Sequence, residues 1–113
     1  MDAFDLADLV QAQAAGDRRY LEFLRVPALS VGLYVLPAES SDGQQPHSED
    51  EVYYVVSGAA QIRVDEADRP VQAGSLVYVA AHVPHHFHTI TSNLTVLVFF
   101  APAEYSRAEG GAA

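Results

Sequence analysis

A chain of 113 residues, half of them hydrophobic, has material for one compact domain and one core, and no room for a second. Fifteen acidic residues against six basic ones, all arginine, give a net charge of −9 and a pI near 4.7, a field that repels phosphate backbones and anionic lipid and so excludes nucleic acid and membrane surfaces as partners. Cysteine is absent, which removes disulfides and thiolate metal sites and leaves imidazole, carboxylate and amide groups as the available metal ligands.

The start, MDAFDLADLV, lacks the basic head and apolar core of a secretory signal, and no apolar run reaches the roughly 20 residues that span a bilayer, so a cytoplasmic location is expected. Phe4, Leu6, Leu9 and Val10 recur at helical spacing with acidic residues between them, and Gly16 follows as a stop: the spacing predicts a helical segment within residues 1–16. From Tyr20 the texture changes to short runs rich in valine, tyrosine, phenylalanine and leucine. These are RYLEFLRVP, LSVGLYVLP, EVYYVVS, AAQIRV, RPVQAG, SLVYVA, HHFHTI and LTVLVFFA, and they read as eight strands. Turn residues separate them at 37–43, Ser57-Gly58, 65–68, Ala73-Gly74, Val83-Pro84 and 91–93. Strands at this pitch predict an all-β barrel of the jelly-roll kind over residues 19–103, and the small, polar residues 104–113 read as a flexible tail. EVYYVV and LTVLVFF are apolar at both alternating positions, so a second sheet or a second subunit has to cover their outer face; a homodimer is the expectation.

One stretch crowds titratable groups against a strand: QQPHSEDEVYYVVSG, residues 44–58. Here His47 and Glu51 lie four apart and Gly58 follows seven after Glu51. Further on, Gly74 opens SLVYVAAHVPHHF, a strand, a proline-containing turn and a second strand beginning at His85. In these two segments the chain resembles the cupins. Their first motif runs Gly, five residues, His-x-His, three or four residues, Glu, six residues, Gly; their second runs Gly, five residues, Pro-x-Gly, two residues, His, three residues, Asn. Glu51 and Gly58 fit the end of the first motif and His47 falls on its second histidine, which leaves Gln45 in the place of the first. In the second motif Gly74 and His85 fit, while Ala80 stands for the proline, His82 for the glycine and Thr89 for the asparagine. The resemblance implies a double-stranded β-helix, one divalent transition metal (Fe, Mn, Ni, Cu or Zn) and a small-molecule substrate or ligand. It also implies a ligand set drawn from Gln45, His47, Glu51 and His85, with Gln45 either ligating through its amide oxygen or swinging away.

Strand parity agrees with that set. If Glu51 points inward, so do Tyr53 and Val55, and His85 shares a face with Phe87. A carboxylate directed into an apolar barrel is costly unless a charge compensates it, and a divalent cation does. Two imidazoles and one carboxylate form the set found at open non-haem iron sites. Tyr53 and Phe87 are candidates to line a substrate pocket as well as to fill the core. Glu49 and Asp50 read as a solvated acidic rim, and His82, His86 and His88 as exterior or rim residues. No nucleophile elbow or phosphate-binding glycine loop is present, so catalytic residues away from the metal are unassigned. The function expected is that of a metal-dependent enzyme, oxygenase-like by preference; an isomerase or cyclase, a non-catalytic binding or sensing domain, and a structural ion are the alternatives. Since a ligating imidazole must be neutral, metal occupancy is expected to fall as the pH drops through about 6.

Overall fold

A computed structural model describes residues 1–44 and 46–106 of the chain. The helix α1 spans Leu6–Ala15 and ends at Gly16. Six strands follow: β1 (Tyr20–Val26), β2 (Leu29–Leu36), β3 (Asp50–Val64), β4 (Ala67–Gln72), β5 (Leu76–Val79) and β6 (His85–Ala101). All pair antiparallel, in the order β1-β2-β6-β3-β4, with β5 on β3 beside Glu51–Tyr54. The all-β jelly roll with a short leading helix is the architecture observed. No helix among the described residues is long and apolar enough to cross a membrane.

Six strands stand where eight were expected, because two of the expected turns are bends within continuous strands. EVYYVVS and AAQIRV fuse into the 15-residue β3, and HHFHTI and LTVLVFFA into the 17-residue β6. Their mutual pairing slips three times between Val55 and Gln61. Gly58 sits in this bulged stretch at φ +96, and a Cβ there would strike the backbone of Asn93 and Leu94. On β6 the bend falls at Thr89, φ +49. Bulges add residues without ending the ladder, and they sharpen the local twist. Each long strand can therefore serve one wall with its first half and the other wall with its second. The inward parity shifts accordingly, from Glu51, Tyr53 and Val55 to Ala60 and Ile62 on β3, and from His85 and Phe87 to Ile90, Leu94, Val96, Val98 and Phe100 on β6.

The apolar residues among these, with Leu36, Val71 and Val79, make one core cluster. Val31 and Leu33 are buried outside it, on the outer face of β2, and α1 packs against β1 and β2 there. Phe4 supports this cover, its ring 5.0 Å from that of Phe23 in an edge-on contact. The helix and Phe4 thus pack on β1 and β2, whereas the cover expected from a second sheet or subunit concerned EVYYVV and LTVLVFF in β3 and β6.

Candidate metal centre

Glu51 and Tyr53 point inward from the first half of β3, His85 points inward from the start of β6, and His47 comes from the loop ahead of β3. The loop is pinned from both sides: His82 N–H donates to the His47 carbonyl at 2.7 Å and Ala81 N–H donates to Asp50 Oδ1 at 2.9 Å. The result brings three of the four expected ligands together. His47, Glu51 and His85 are 7%, 2% and 4% exposed, and each offers a ligand atom within 4.8 Å of the others. Gln45 lies outside the described residues.

The hydrogen bonds around the cluster select which atoms face the centre. His85 Nδ1 lies 2.8 Å from the Val83 carbonyl, an acceptor only, so Nδ1 carries the proton and the neutral ring turns a lone pair on Nε2 inward. That Nε2 is 2.6 Å from Glu51 Oε1 and 3.0 Å from the Tyr53 hydroxyl. His47 Nε2 meets Glu104 Oε2 at 3.0 Å, which holds a proton on that nitrogen and leaves Nδ1 for the centre, 3.4 Å from Glu51 Oε1. A carboxylate or carbonyl behind each imidazole is the arrangement that orients metal-ligating histidines. Two atoms at the centre, His47 Nδ1 and Glu51 Oε2, are buried without a hydrogen-bond partner. Unsatisfied polar atoms in so dry a place are costly, and a divalent cation that displaces the proton of Nδ1 satisfies both, so the residues present fit a divalent metal.

Charge at the centre follows the same contacts. Burial disfavours the His47 imidazolium, but the neighbouring carboxylates of Glu104 and Glu51 outweigh it and push the pKa up to about 9. The balance is similar at His85, where burial is overcome by Glu51 and the Val83 carbonyl and the pKa is raised. Burial opposes ionisation of Glu51, yet the two histidines hold its pKa below the usual value. Without metal, the cluster is therefore an imidazolium–carboxylate network; a metal has to displace its protons.

A chamber of about 480 Å³ opens beside the centre, reached by His47 and Tyr53 and walled by Val98, Phe100, Tyr34 and Tyr105. Of the two places expected for it, Tyr53 takes both: it belongs to the core cluster and lines this chamber, its hydroxyl donating to Gln44 Oε1 at 2.9 Å. Phe87 takes only the core place, at 1% exposure with its ring edge-on to Tyr53 at 5.0 Å, and lines neither this chamber nor a smaller recess beside His85 and His86. Inward parity puts a side chain on the inner face, but depth along the barrel decides whether it meets cavity or core.

Other expectations need correction. Glu49 is not a solvated rim residue: at 1% exposure it accepts hydrogen bonds from the Tyr105 N–H at 2.6 Å and the Ser48 hydroxyl at 2.5 Å. Asp50 is half-buried and caps the 81–82 turn. The start of the expected tail is likewise tied down, since Glu104 N–H donates to Ser30 Oγ at 2.8 Å while its carboxylate backs His47; residues 107–113 lie outside the described residues. His82, His86 and His88 do stay off the centre, His88 pairing instead with Asp68 at 2.7 Å. Sequence reasoning missed Glu104, and it missed the inward face of β1, where Tyr20, Glu22 and Arg25 line the chamber with Arg18 just ahead of the strand. Two charged residues, Glu22 and Arg25, in an otherwise apolar strand were the available signal for β1, although only the bulge between Glu22 and Leu24 turns both to one face.

Comparison with known proteins agrees with this geometry. The profile of the cupin domain matches residues 32–101. An uncharacterized protein of Streptomyces coelicolor is 52% identical over 104 residues, covering 92% of this chain and 99% of its own. Among solved structures, TT1209 from Thermus thermophilus superposes with a TM-score of 0.72 at 24% identity, over 91% of this chain and 99% of that one. The DMSP lyase DddQ from Ruegeria pomeroyi does so with a TM-score of 0.66 at 18% identity, over 74% of this chain and 47% of that one. Such structural likenesses carry the fold and no particular reaction. With two bent strands forming one barrel, His47, Glu51 and His85 converging inside it and the domain profile matched over most of that barrel, this chain belongs to the cupin family.

Proposed function

We propose that this cupin holds one divalent transition metal (Fe, Mn, Ni, Cu or Zn) through His47 Nδ1, Glu51 and His85 Nε2, and is a cytoplasmic metal-dependent enzyme acting on a small organic molecule, with oxygenase chemistry. The observation that carries the reading is the pair of unsatisfied buried atoms, His47 Nδ1 and Glu51 Oε2, in a cluster whose outer imidazole nitrogens are held by Glu104 and the Val83 carbonyl and whose His85 Nε2 and Glu51 Oε1 engage each other. A metal so bound would supply Lewis acidity and vacant positions for substrate and O₂. The chain's own residues do the rest. Glu104 and the Val83 carbonyl fix the two imidazole orientations, and Tyr53 stays a neutral hydroxyl because burial raises its pKa well above the usual value. Tyr34, Val98, Phe100 and Tyr105 give the chamber an apolar wall against which the body of a substrate would pack.

Elemental analysis and metal titration of untagged protein test this. One equivalent of divalent metal is expected, with affinity reduced at least about a hundredfold in Glu51→Ala and His85→Ala while circular dichroism shows the fold retained. Absence of stoichiometric binding across the five metals would end the proposal. The loaded protein should consume oxygen with members of a panel of small diketones, catechols and hydroxy acids. Binding without consumption across the panel would replace the enzyme reading by a ligand-binding or sensing domain, and unfolding on chelation would make the ion structural.

A further inference from the structure

The chamber has a second polar end, away from the metal ligands. β1 turns Tyr20, Glu22 and Arg25 inward, opposite Tyr34, Gly32 and Ser30 of β2. The Tyr20 ring lies across Gly32, where any Cβ would collide with its hydroxyl end, and Tyr20 Oη is buried without a hydrogen-bond partner. Burial, with Glu104, Glu22 and Glu51 nearby, pushes its pKa far up, so it remains a hydroxyl at any working pH. A buried O–H with nothing to donate to is costly, and a ligand oxygen relieves it.

The arginines narrow the choice of ligand. Three of the six basic residues of this acidic chain, Arg18, Arg19 and Arg25, gather on β1 and the residues just before it. Arg25 is committed, to Glu22 Oε1 at 3.0 Å and the Glu104 carbonyl at 2.8 Å, and Arg19 donates to the Ser41 carbonyl at 2.9 Å. Arg18 also lines the chamber, and among the described residues its guanidinium has no ion pair or hydrogen bond. The acids of the chamber, by contrast, are matched: Glu22 by Arg25 and Glu104 by His47.

We propose that the chamber takes a small organic monocarboxylate, its carboxylate received by the Arg18 guanidinium and the Tyr20 hydroxyl and its other end directed toward His47. One uncommitted fork and one hydroxyl suit the two oxygens of a carboxylate. A doubly charged phosphate is disfavoured by Glu22, Glu104 and the overall charge of −9. The walls, Tyr34, Val98, Phe100 and Tyr105, suit a flat apolar body, and 480 Å³ lies within the size range of small-molecule sites. The direction of the far end rests on the metal reading above, whereas the carboxylate subsite does not.

The test uses metal-free protein, so that the two readings fail separately. Benzoate and its neutral isostere benzamide are titrated calorimetrically into the wild type, Arg18→Gln and Tyr20→Phe, with thermal melting as the check on folding. Benzoate should bind about tenfold or more tightly than benzamide, and Arg18→Gln should erase about tenfold of that preference. Tyr20→Phe keeps the ring over Gly32 and should weaken benzoate several-fold. Equal binding of the two probes, no binding of benzoate at millimolar concentration, or a preference that survives both substitutions would each overturn the proposal. Loss of metal binding with the preference intact would sink the metal centre alone.

Discussion

His47 is where the largest charge decision is taken. Its pKa, raised from the ordinary 6.5 to about 9, means that the folded, metal-free protein favours the imidazolium, and that stability from this source is fully present below pH 6.5 and lost as pH rises through about 9. Glu51 works in the opposite sense: its pKa is lowered, so its contribution is present above 4.5 and lost as pH falls through the depressed value. Metal-free protein should therefore be most stable between about pH 4.5 and 6.5 and lose on the order of 2 kcal/mol by pH 9, read from urea midpoints across pH, with the alkaline loss absent in His47→Gln. A flat profile from pH 6 to 9 in the wild type would contradict the Glu51–His47–Glu104 network. The same protons compete with metal, so the fall in metal occupancy expected near pH 6 from an isolated imidazole should begin closer to pH 9.

The bends of β3 and β6 govern how the elements meet, and they depend on single backbone conformations. Gly58 at φ +96 approaches the Asn93 carbonyl too closely for any side chain, so Gly58→Ala incurs both a left-handed penalty and a backbone collision. A loss of about 2–4 kcal/mol is expected in denaturant unfolding. Thr89 and His82 are the complement. Both stand where the cupin pattern has asparagine and glycine, and both adopt positive φ, at +49 and +67, which L-residues avoid and a β-branched threonine avoids most. Thr89→Asn should stabilise the protein by about 0.5–1 kcal/mol in the same assay, and destabilisation would show that the threonine hydroxyl, 3.0 Å from His88 Nδ1, contributes more than the backbone strain costs. Two departures of the sequence from the family pattern, His82 and Thr89, thus fall on strained backbone, while the candidate ligands His47, Glu51 and His85 converge.

At the scale of the molecule, cover is unevenly distributed. Helix α1 packs against β1 and β2, but Tyr54, Leu76 and Tyr78 remain 37%, 65% and 61% exposed on the outer face of β3 and β5, with Tyr54 directly opposite Leu76. A contiguous apolar patch on an edge strand is what a self-associating surface requires. We predict a homodimer through this patch: sedimentation should show a dimer at micromolar concentration, and Leu76→Glu with Tyr78→Glu should convert it to a monomer with the metal centre intact. A monomeric wild type would refute the interface.

The fold and the inward placement of Glu51 and His85 could be read from the letters because both rest on local periodicity, whereas His47, in a loop, is reached through the resemblance to the cupin motifs. Alternation along EVYYVV and HHF assigns inner and outer faces whatever the partner strand, and a carboxylate on the inner face has few tolerable roles. Other features escaped the sequence because they depend on contacts between distant segments. Turn-like residues at Ser57-Gly58 and 91–93 cannot be told from bulges until the partner strand is known. Glu104, 57 residues beyond His47, backs that ring only because β6 delivers the chain end to the barrel mouth. Glu49 looks solvated until Tyr105 covers it, and whether Phe87 fills the core or lines the pocket is open until its depth is fixed. Periodicity fixes direction within a strand; only closure of the barrel fixes which distant side chains share its interior.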